Sequence, residues 1–521
     1  MDFSLAFEKF VMQQQRHGGS DISECDETVS SVVAAIDGTG MGKVLSEILL
    51  EGPTPSAPAT IDDEDDETDA AATVTALDAR LSYITFILLQ CKASNAPVDT
   101  DAFLCPLAGY LDMNVDDLDL RRLSEVRRIF RGTKDNRTLI KIVEKMTRGQ
   151  SSNTLWFLTR NRLVTGSSVQ RQCTYRPHGT LVHDMFRPSS RWELFGRTHE
   201  PIVRDLVAAF VERAPVPVAD TLGLVIDPFS GTFGASMDVC YGVDEGPDGL
   251  VRFGDNVKIY EIKCVAKYVY NHAEPAIRDF VASPSKRAFA DIVKSATFPM
   301  VEHRHGGGVP SSGTHLVTHD RSFETGKKRK CLYEYNDEVR KLLEANRNVQ
   351  STVYVFREKH AEEGRSGGEE TARKKALEIE CCAQFKTNIF LNARHRYFDQ
   401  AGIQYFVTTQ QYISDHSDPE SIKLDRLPSV SVVTALFKTK DPETRSYPLR
   451  VNGHEYGGDS AVPLAVIVTP VVFDADILAA FLRETFDKYA QSVYLEGRVR
   501  VWDPNFLKGF VASHRDPEKT P

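Results

Sequence analysis

In the run Tyr260-Glu261-Ile262-Lys263-Cys264 an acid and a base alternate with less polar residues. Side chains of a strand point to opposite faces in turn, so Glu261 and Lys263 emerge side by side while Tyr260, Ile262 and Cys264 share the other face. Upstream, Ser236 and Asp238 have the same spacing, and a hairpin of the available length brings Asp238 beside Glu261. Two carboxylates and one ammonium then converge. Hard oxygen donors of this kind suit Mg²⁺, with Mn²⁺ as a substitute, and such ions keep positions for water and phosphate oxygens. The chemistry predicted is phosphodiester hydrolysis, in which the ion acidifies a water and neutralises transition-state charge while the lysine orients or deprotonates that water. The same spacing also fits an ordinary ion pair on a surface strand, and the residue types alone leave both readings open.

These residues need a sheet to hold them. Between Leu222 and Cys264 the segments LGLVID, FGASMDVCY and VKIYEIKC read as short strands, with turns at Gly246-Pro247-Asp248-Gly249 and Gly254-Asp255-Asn256. Ala461 to Phe473 reads as a further buried strand before a helix at 475–489. From Leu77 to Met146 the period is helical, with Leu120, Leu123, Val126 and Phe130 on one face. The expected class is α/β: a central mixed sheet flanked by helices, with a helical N-terminal subdomain. Expected boundaries are an acidic segment and linker over 1–75, the helical subdomain over 76–150, a body over 151–510 with an exposed insertion near 357–375, and a flexible tail over 511–521.

Composition narrows the function classes. The chain has 521 residues, 41% hydrophobic and 26% charged, globular values without an apolar run of the roughly 18 residues that a membrane helix needs. No membrane partner is expected, and the opening MDFSLAFEKFVMQQQR lacks the order of a secretory signal. Nine cysteines without a C-x-x-C predict free thiols rather than a disulfide framework or a zinc knuckle. Residues 1–70 hold 16 Asp+Glu against 3 Lys+Arg, so against a whole-chain charge of -10 the remainder is slightly basic. A phosphate-bearing partner is therefore compatible with the body. Gly38, Gly40, Gly42 and Lys43 lack the spacing of a phosphate loop, and Val44 stands where a hydroxyl would hold magnesium.

The blocks WELFGRTHEP, DPFSGTFGASMDVCYG, KIYEIKCVAKYVY and TNIFLNARHRYFDQ closely resemble the alkaline nuclease family of herpesviruses, in order and spacing, from about Trp156 to Val501. That family has the PD-(D/E)XK restriction-endonuclease-like fold and is related to phage λ-type exonucleases. The resemblance implies that Asp238, Glu261 and Lys263 are catalytic, with Asp238, Glu261 and the Ile262 carbonyl as metal ligands. It adds Glu200 from the THEP block, on a helix that Thr198 would cap and whose first turn would contain Pro201. It also implies a phosphate-contacting entry motif at Arg160, Thr165 and Ser167, with Gly166 where related exonucleases often have Ala. Gly234 would let substrate or metal approach the backbone, and Ser236 would share the face of Asp238. Arg394, His395, Arg396 and Tyr397 would grip phosphates and stack bases, although Ala393 replaces a Pro common in the family.

By this resemblance the expected function is a Mg²⁺-dependent 5′-to-3′ exonuclease, with endonuclease capacity, on linear double-stranded DNA. It would process replication intermediates for recombination and packaging in the host nucleus, with the viral single-stranded-DNA-binding protein as partner. The alternatives are an RNA endonuclease of host-shutoff type, which could place it in the host cytoplasm also, and a non-catalytic DNA-binding recombination factor. Three further features carry competing readings. His303 and His305 could pair on a metal but sit in a glycine-rich loop, Lys327-Lys328-Arg329-Lys330 could be a nuclear-import signal, a phosphate contact or a solvated run, and 171–192 is a candidate lid.

Overall fold

The computed structural model describes residues 76–498 apart from 94–97, 112–113, 115–135, 151–152, 161–162, 170–189, 219–220, 297–299, 305–309, 325–336, 361–375, 417–421 and 458–460. The acidic segment and Gly38–Lys43 loop, the Leu120–Phe130 face, most of the candidate lid, His305, the basic run at 327–330, most of the insertion and the C-terminal tail lie outside the described residues.

Helices α1 (Ala76–Ala93), α2 (Asp101–Leu111), α3 (Asn136–Met146) and α4 (Thr154–Thr159) precede the first strand. Strands β1 (Val164–Thr165), β2 (Val225–Ile226) and β3 (Phe233–Ala235) form a small sheet in the order β1-β3-β2, β1 running parallel to β3. Between β1 and β2 lies α5 (Arg191–Leu206), which continues as a π-helix over Val207–Glu212. The main sheet has eight strands in the order β13-β12-β9-β8-β14-β11-β5-β4. These are β4 (Val239–Glu245), β5 (Val251–Tyr270), β8 (Ser351–His360), β9 (Leu377–Thr387), β11 (Ser429–Thr439), β12 (Leu449–Val451), β13 (His454–Tyr456) and β14 (Ala461–Val471). A third sheet, β10-β7-β6, is built from Val301–His303 (β6), Leu316–Thr318 (β7) and Ile389–Leu391 (β10). The remaining helices used below are α6 (Pro275–Ala282), α7 (Lys286–Ser295), α8 (Asp337–Arg347), α9 (Arg396–Asp415) and α10 (Ala475–Arg498).

Alternation along the central strands divides the core into two layers. Val353, Val355, Ala465, Ile467, Val430, Val432 and Ile259 pack with α9, α6, α7 and the N-terminal helices. Their neighbours Tyr354, Phe356, Val466, Val468, Val433, Ala435 and Ile262 pack with α5 on the opposite face. β14 is buried along nearly its whole length, as the continuous apolar run AVPLAVIVTPVV requires of a strand covered on both faces. Pro463, which cannot donate to a ladder, pairs with Phe437 where the β11 register shifts.

Two expected features differ. Gly254-Asp255-Asn256 does not make a turn: it lies inside the 20-residue β5. There Asn256 (φ 57°) and, across the pair, Gly242 (φ 78°) take left-handed conformations as the β4–β5 register shifts between Tyr241 and Val243. The residues that favour turns also favour bulges, and the true turn at Gly246–Gly249 had already closed the hairpin. The second difference concerns α5. It starts at Arg191 behind a capping box in which Ser190 accepts from the Glu193 N–H and Glu193 accepts from the Ser190 N–H, rather than at Thr198. Thr198 lies mid-helix and donates to the Leu194 carbonyl at 3.0 Å, and Pro201 is internal.

Candidate active site

The hairpin register does what the strand pattern required. Val239 pairs with Tyr260, so Asp238, one residue before β4, stands opposite Glu261. The Asp238 Oδ2 accepts the Ile262 N–H at 2.7 Å, which fixes the acid against the neighbouring strand. Lys263 and Glu261 are in direct contact. Immediately beyond them β5 leaves its ladder with β11: Cys264 pairs with Ala435, but the next pair is Val269 with Phe437. Glu261 and Lys263 themselves stay in the ladder, opposite Val432 and Thr434, and the irregularity that follows them is of the kind found beside active sites.

Helix α9 closes the face on which Glu261 lies. Gln400 donates its amide to Glu261 Oε1 at 2.5 Å and accepts from Lys263 at 3.2 Å, while Gln404, one turn on, donates to Glu261 Oε2. The buried Glu261 thus has both oxygens engaged by neutral or cationic donors. Neither glutamine was assigned a role from the sequence, although Gln400 ends the RHRYFDQ block. The sequence does carry a signal: Gln400, Gln404 and Gln411 recur at spacings of four and seven, which puts three amides on one helical face, and the structure buries Gln404 and Gln411 at 2% exposure, where amides require partners. Gln411 finds its own in the Ile226 carbonyl at 2.7 Å.

Glu200 reaches the same cluster from the body of α5 rather than from a helix end, and it pairs with Arg204 at 3.3 Å. The three acids repel one another. Burial first, then Glu261 and Glu200, holds the Asp238 carboxyl well above its usual range, against the opposing pull of Lys263 and the Ile262 N–H. Burial and the Glu261 charge likewise raise Glu200, with Arg204 opposing. For Lys263 burial works against the charge, but Glu261 and Asp238 outweigh it and hold the ammonium above its normal range. The Lys263 Nζ also lies 4.6 Å from the centre of the Tyr397 ring.

The entry motif forms a compact clasp. Arg160 donates to Thr165 Oγ1 at 3.2 Å and to Ser167 Oγ at 3.0 Å, and its guanidinium lies 3.9 Å over Trp156. Trp156 in turn donates its indole N–H to Ser236 Oγ at 2.8 Å, which ties the clasp to the residue two before Asp238 and leaves the Ser236 O–H able to donate. Gly234 meets a packing demand as well: a Cβ there would lie 2.1 Å from Leu163 Cδ2, because β1 and β3 run parallel and close. The RHRYF block divides as well. Arg394 donates to the Pro310 carbonyl at 3.3 Å, His395 caps α9, Phe398 is buried, and only Arg396 is exposed. Tyr397 packs on His395 with ring centres 4.3 Å apart. Burial, then Arg396 and Lys263, lowers the His395 imidazole to about 4.

Among the described residues no three His, Cys, Asp or Glu side chains are already gathered around a metal position. The donor set nevertheless fits a hard divalent cation. It offers carboxylate oxygens from Asp238 and Glu261, with Glu200 near, and their mutual repulsion is what such a charge relieves. Among the described residues Glu261 Oε2 accepts from Gln404 alone, which leaves it a lone pair to offer such an ion.

A profile of the Viral alkaline exonuclease family matches residues 60–507. The chain belongs to the viral alkaline exonuclease family. It is 53% identical over 512 residues to the alkaline nuclease of Elephantid herpesvirus 1, covering 98% of this chain and 99% of that protein. Among solved structures, a SOX–DNA complex superposes with a TM-score of 0.63 at 20% identity, covering 91% and 93% of the two chains. A KSHV SOX RNA complex gives 0.62 at 22% identity, covering 80% and 88%. As a viral alkaline exonuclease family member the protein is a nuclease, a hydrolase of phosphodiester bonds, with the PD-(D/E)XK-like mixed sheet these neighbours share.

Proposed function

We propose that the protein is a Mg²⁺-dependent exonuclease that degrades linear double-stranded DNA from the 5′ end, with endonuclease capacity. The observation that carries this reading is the placement of Asp238 opposite Glu261 with Lys263 in contact, at the point where β5 leaves its ladder. A divalent cation between the two acids would supply a water of lowered pKa and charge neutralisation on the transferring phosphoryl oxygens. Asp238, Glu261 and the Ile262 carbonyl would hold it, and Lys263 would orient the attacking water. Arg160 and Ser167 would seat a substrate phosphate, and Arg396 would contact the backbone from the exposed start of α9. In an infected cell it would process replication intermediates for recombination and packaging in the host nucleus, alongside the viral single-stranded-DNA-binding protein. A second reading, an RNA endonuclease of host-shutoff type, is supported by the likeness to the SOX protein solved with RNA.

The test is a Mg²⁺-dependent time course at about pH 8 to 9 on 5′-labelled and 3′-labelled duplex and on single-stranded RNA. Early release of the 5′ label by wild type, absent in Asp238→Asn, is expected. RNA cut without DNA cleavage would promote the second reading, and a folded wild type that cleaves neither would leave only DNA binding.

A further inference from the structure

The clasp and the metal-binding acids are joined at one backbone contact. A Cβ on Gly166 would lie 2.7 Å from Gln400 Cγ, 2.8 Å from Gln400 Cα and 3.1 Å from the Gln400 carbonyl oxygen. Two of these atoms are main chain of α9, so no side-chain rotation would relieve the overlap; the loop and the helix would have to separate. On the loop side, Gly166 is flanked by the two hydroxyls that Arg160 contacts. On the helix side is the one residue whose amide bridges Glu261 and Lys263. Closely packed groups transmit displacement instead of absorbing it.

We propose that Gly166 and Gln400 form a positioning relay, through which a substrate phosphate seated on Arg160 and Ser167 sets the pose of Gln400 and hence of Glu261 and Lys263. The relay rests on the double-stranded-DNA exonuclease reading and adds that the clasp contributes to turnover as well as to binding. Gln400 suits the task because both ends of its amide are engaged, one on each catalytic side chain, so a small shift of α9 changes both bonds together. Gln404 holds the other oxygen of Glu261 from the next turn, so the relay turns the carboxylate without releasing it. The absence of a side chain at position 166 is what allows the seating.

The experiment uses full-length protein and duplex DNA in which a single methylphosphonate is moved through the phosphates nearest the cleaved bond. At one position wild type loses about tenfold in kcat at saturating DNA, beyond any rise in KM. In Gln400→Ala, kcat on unmodified DNA is lower, and the methylphosphonate at that position costs KM but no further kcat. Gly166→Ala behaves in the same way, and the double variant is no worse than the poorer single one, as expected of one shared path. The relay is overturned if the wild-type penalty is confined to KM, or if Gln400→Ala keeps the full kcat penalty. Thermal unfolding reports whether Gly166→Ala is folded; if it is not, the Gln400→Ala arm decides alone. Failure of wild type to cut unmodified duplex would sink the double-stranded-DNA exonuclease reading itself, an outcome distinct from loss of the relay.

Discussion

Glu261 is a buried carboxylate whose two oxygens are held by three side chains, and its behaviour depends on keeping them. Removing one donor from a buried polar group leaves a desolvation penalty of roughly 1–3 kcal/mol, at the upper end or beyond when the group is charged. Gln404→Ala is therefore expected to lower stability by about that amount, measured by urea unfolding, and to raise the Mg²⁺ concentration for half-maximal cleavage several-fold. Unchanged stability together with an unchanged Mg²⁺ dependence would show that Glu261 is not held as described. Tyr397 is a case where residue type and environment part company. Its aromatic ring suits base stacking, but its partners here are the Lys263 ammonium and His395, which makes it part of the floor beneath the lysine.

At the scale of elements, α5 and α9 carry acid and amide side chains to opposite faces of β5. The α5 boundary illustrates how a local preference is overridden. Pro201 has no N–H to donate and favours a first turn, but the reciprocal Ser190–Glu193 capping box provides two hydrogen bonds a full two turns earlier. A second cap has a pH consequence. Asp320 caps the short 3₁₀ turn at Arg321–Phe323 and pairs with Lys286 at 2.8 Å, and Lys286 and Ser322 lower its carboxyl to about 2. The unfolded chain, with an Asp of about 3.9, binds this proton more readily than the folded one, so the stabilisation is complete above about pH 4 and is lost as pH falls towards 2. The pair is only half-buried and partly screened by solvent, so the effect is small. Asp320→Asn should remove that part of the acid dependence, as read from urea midpoints at pH 7 and pH 3. An equal fall in both proteins would refute the assignment.

At the scale of the whole molecule, the N-terminal helices are not detachable. Leu81, Ile84, Phe103 and Leu139 belong to the same core as the small sheet and α9. Glu144 of α3 accepts the Gly223 N–H at 2.8 Å, and Lys141 pairs with Asp415 at the end of α9. Deletion of 76–150 is expected to give insoluble or inactive protein. Deletion of 1–70, which leaves every described core residue from Leu77 onward in place, should leave cleavage in vitro intact; solubility and label release on both truncations are the measurements. What the sequence alone determined was the chemistry that depends on neighbours along the chain. Strand alternation placed Glu261 beside Lys263, and one hairpin placed Asp238 opposite them. These follow from a period of two and a short turn, which few alternatives can satisfy. What only the tertiary structure decided depends on distant segments. Gln400 lies 139 residues from Glu261, and the Gly166 contact joins a loop to a helix more than two hundred residues on. The Gly254–Asn256 bulge and the true turn share the same residue preferences, and only pairing across β4 separates them. Local propensity has no access to such choices, because their energy resides in contacts that form when the sheet and α9 close together.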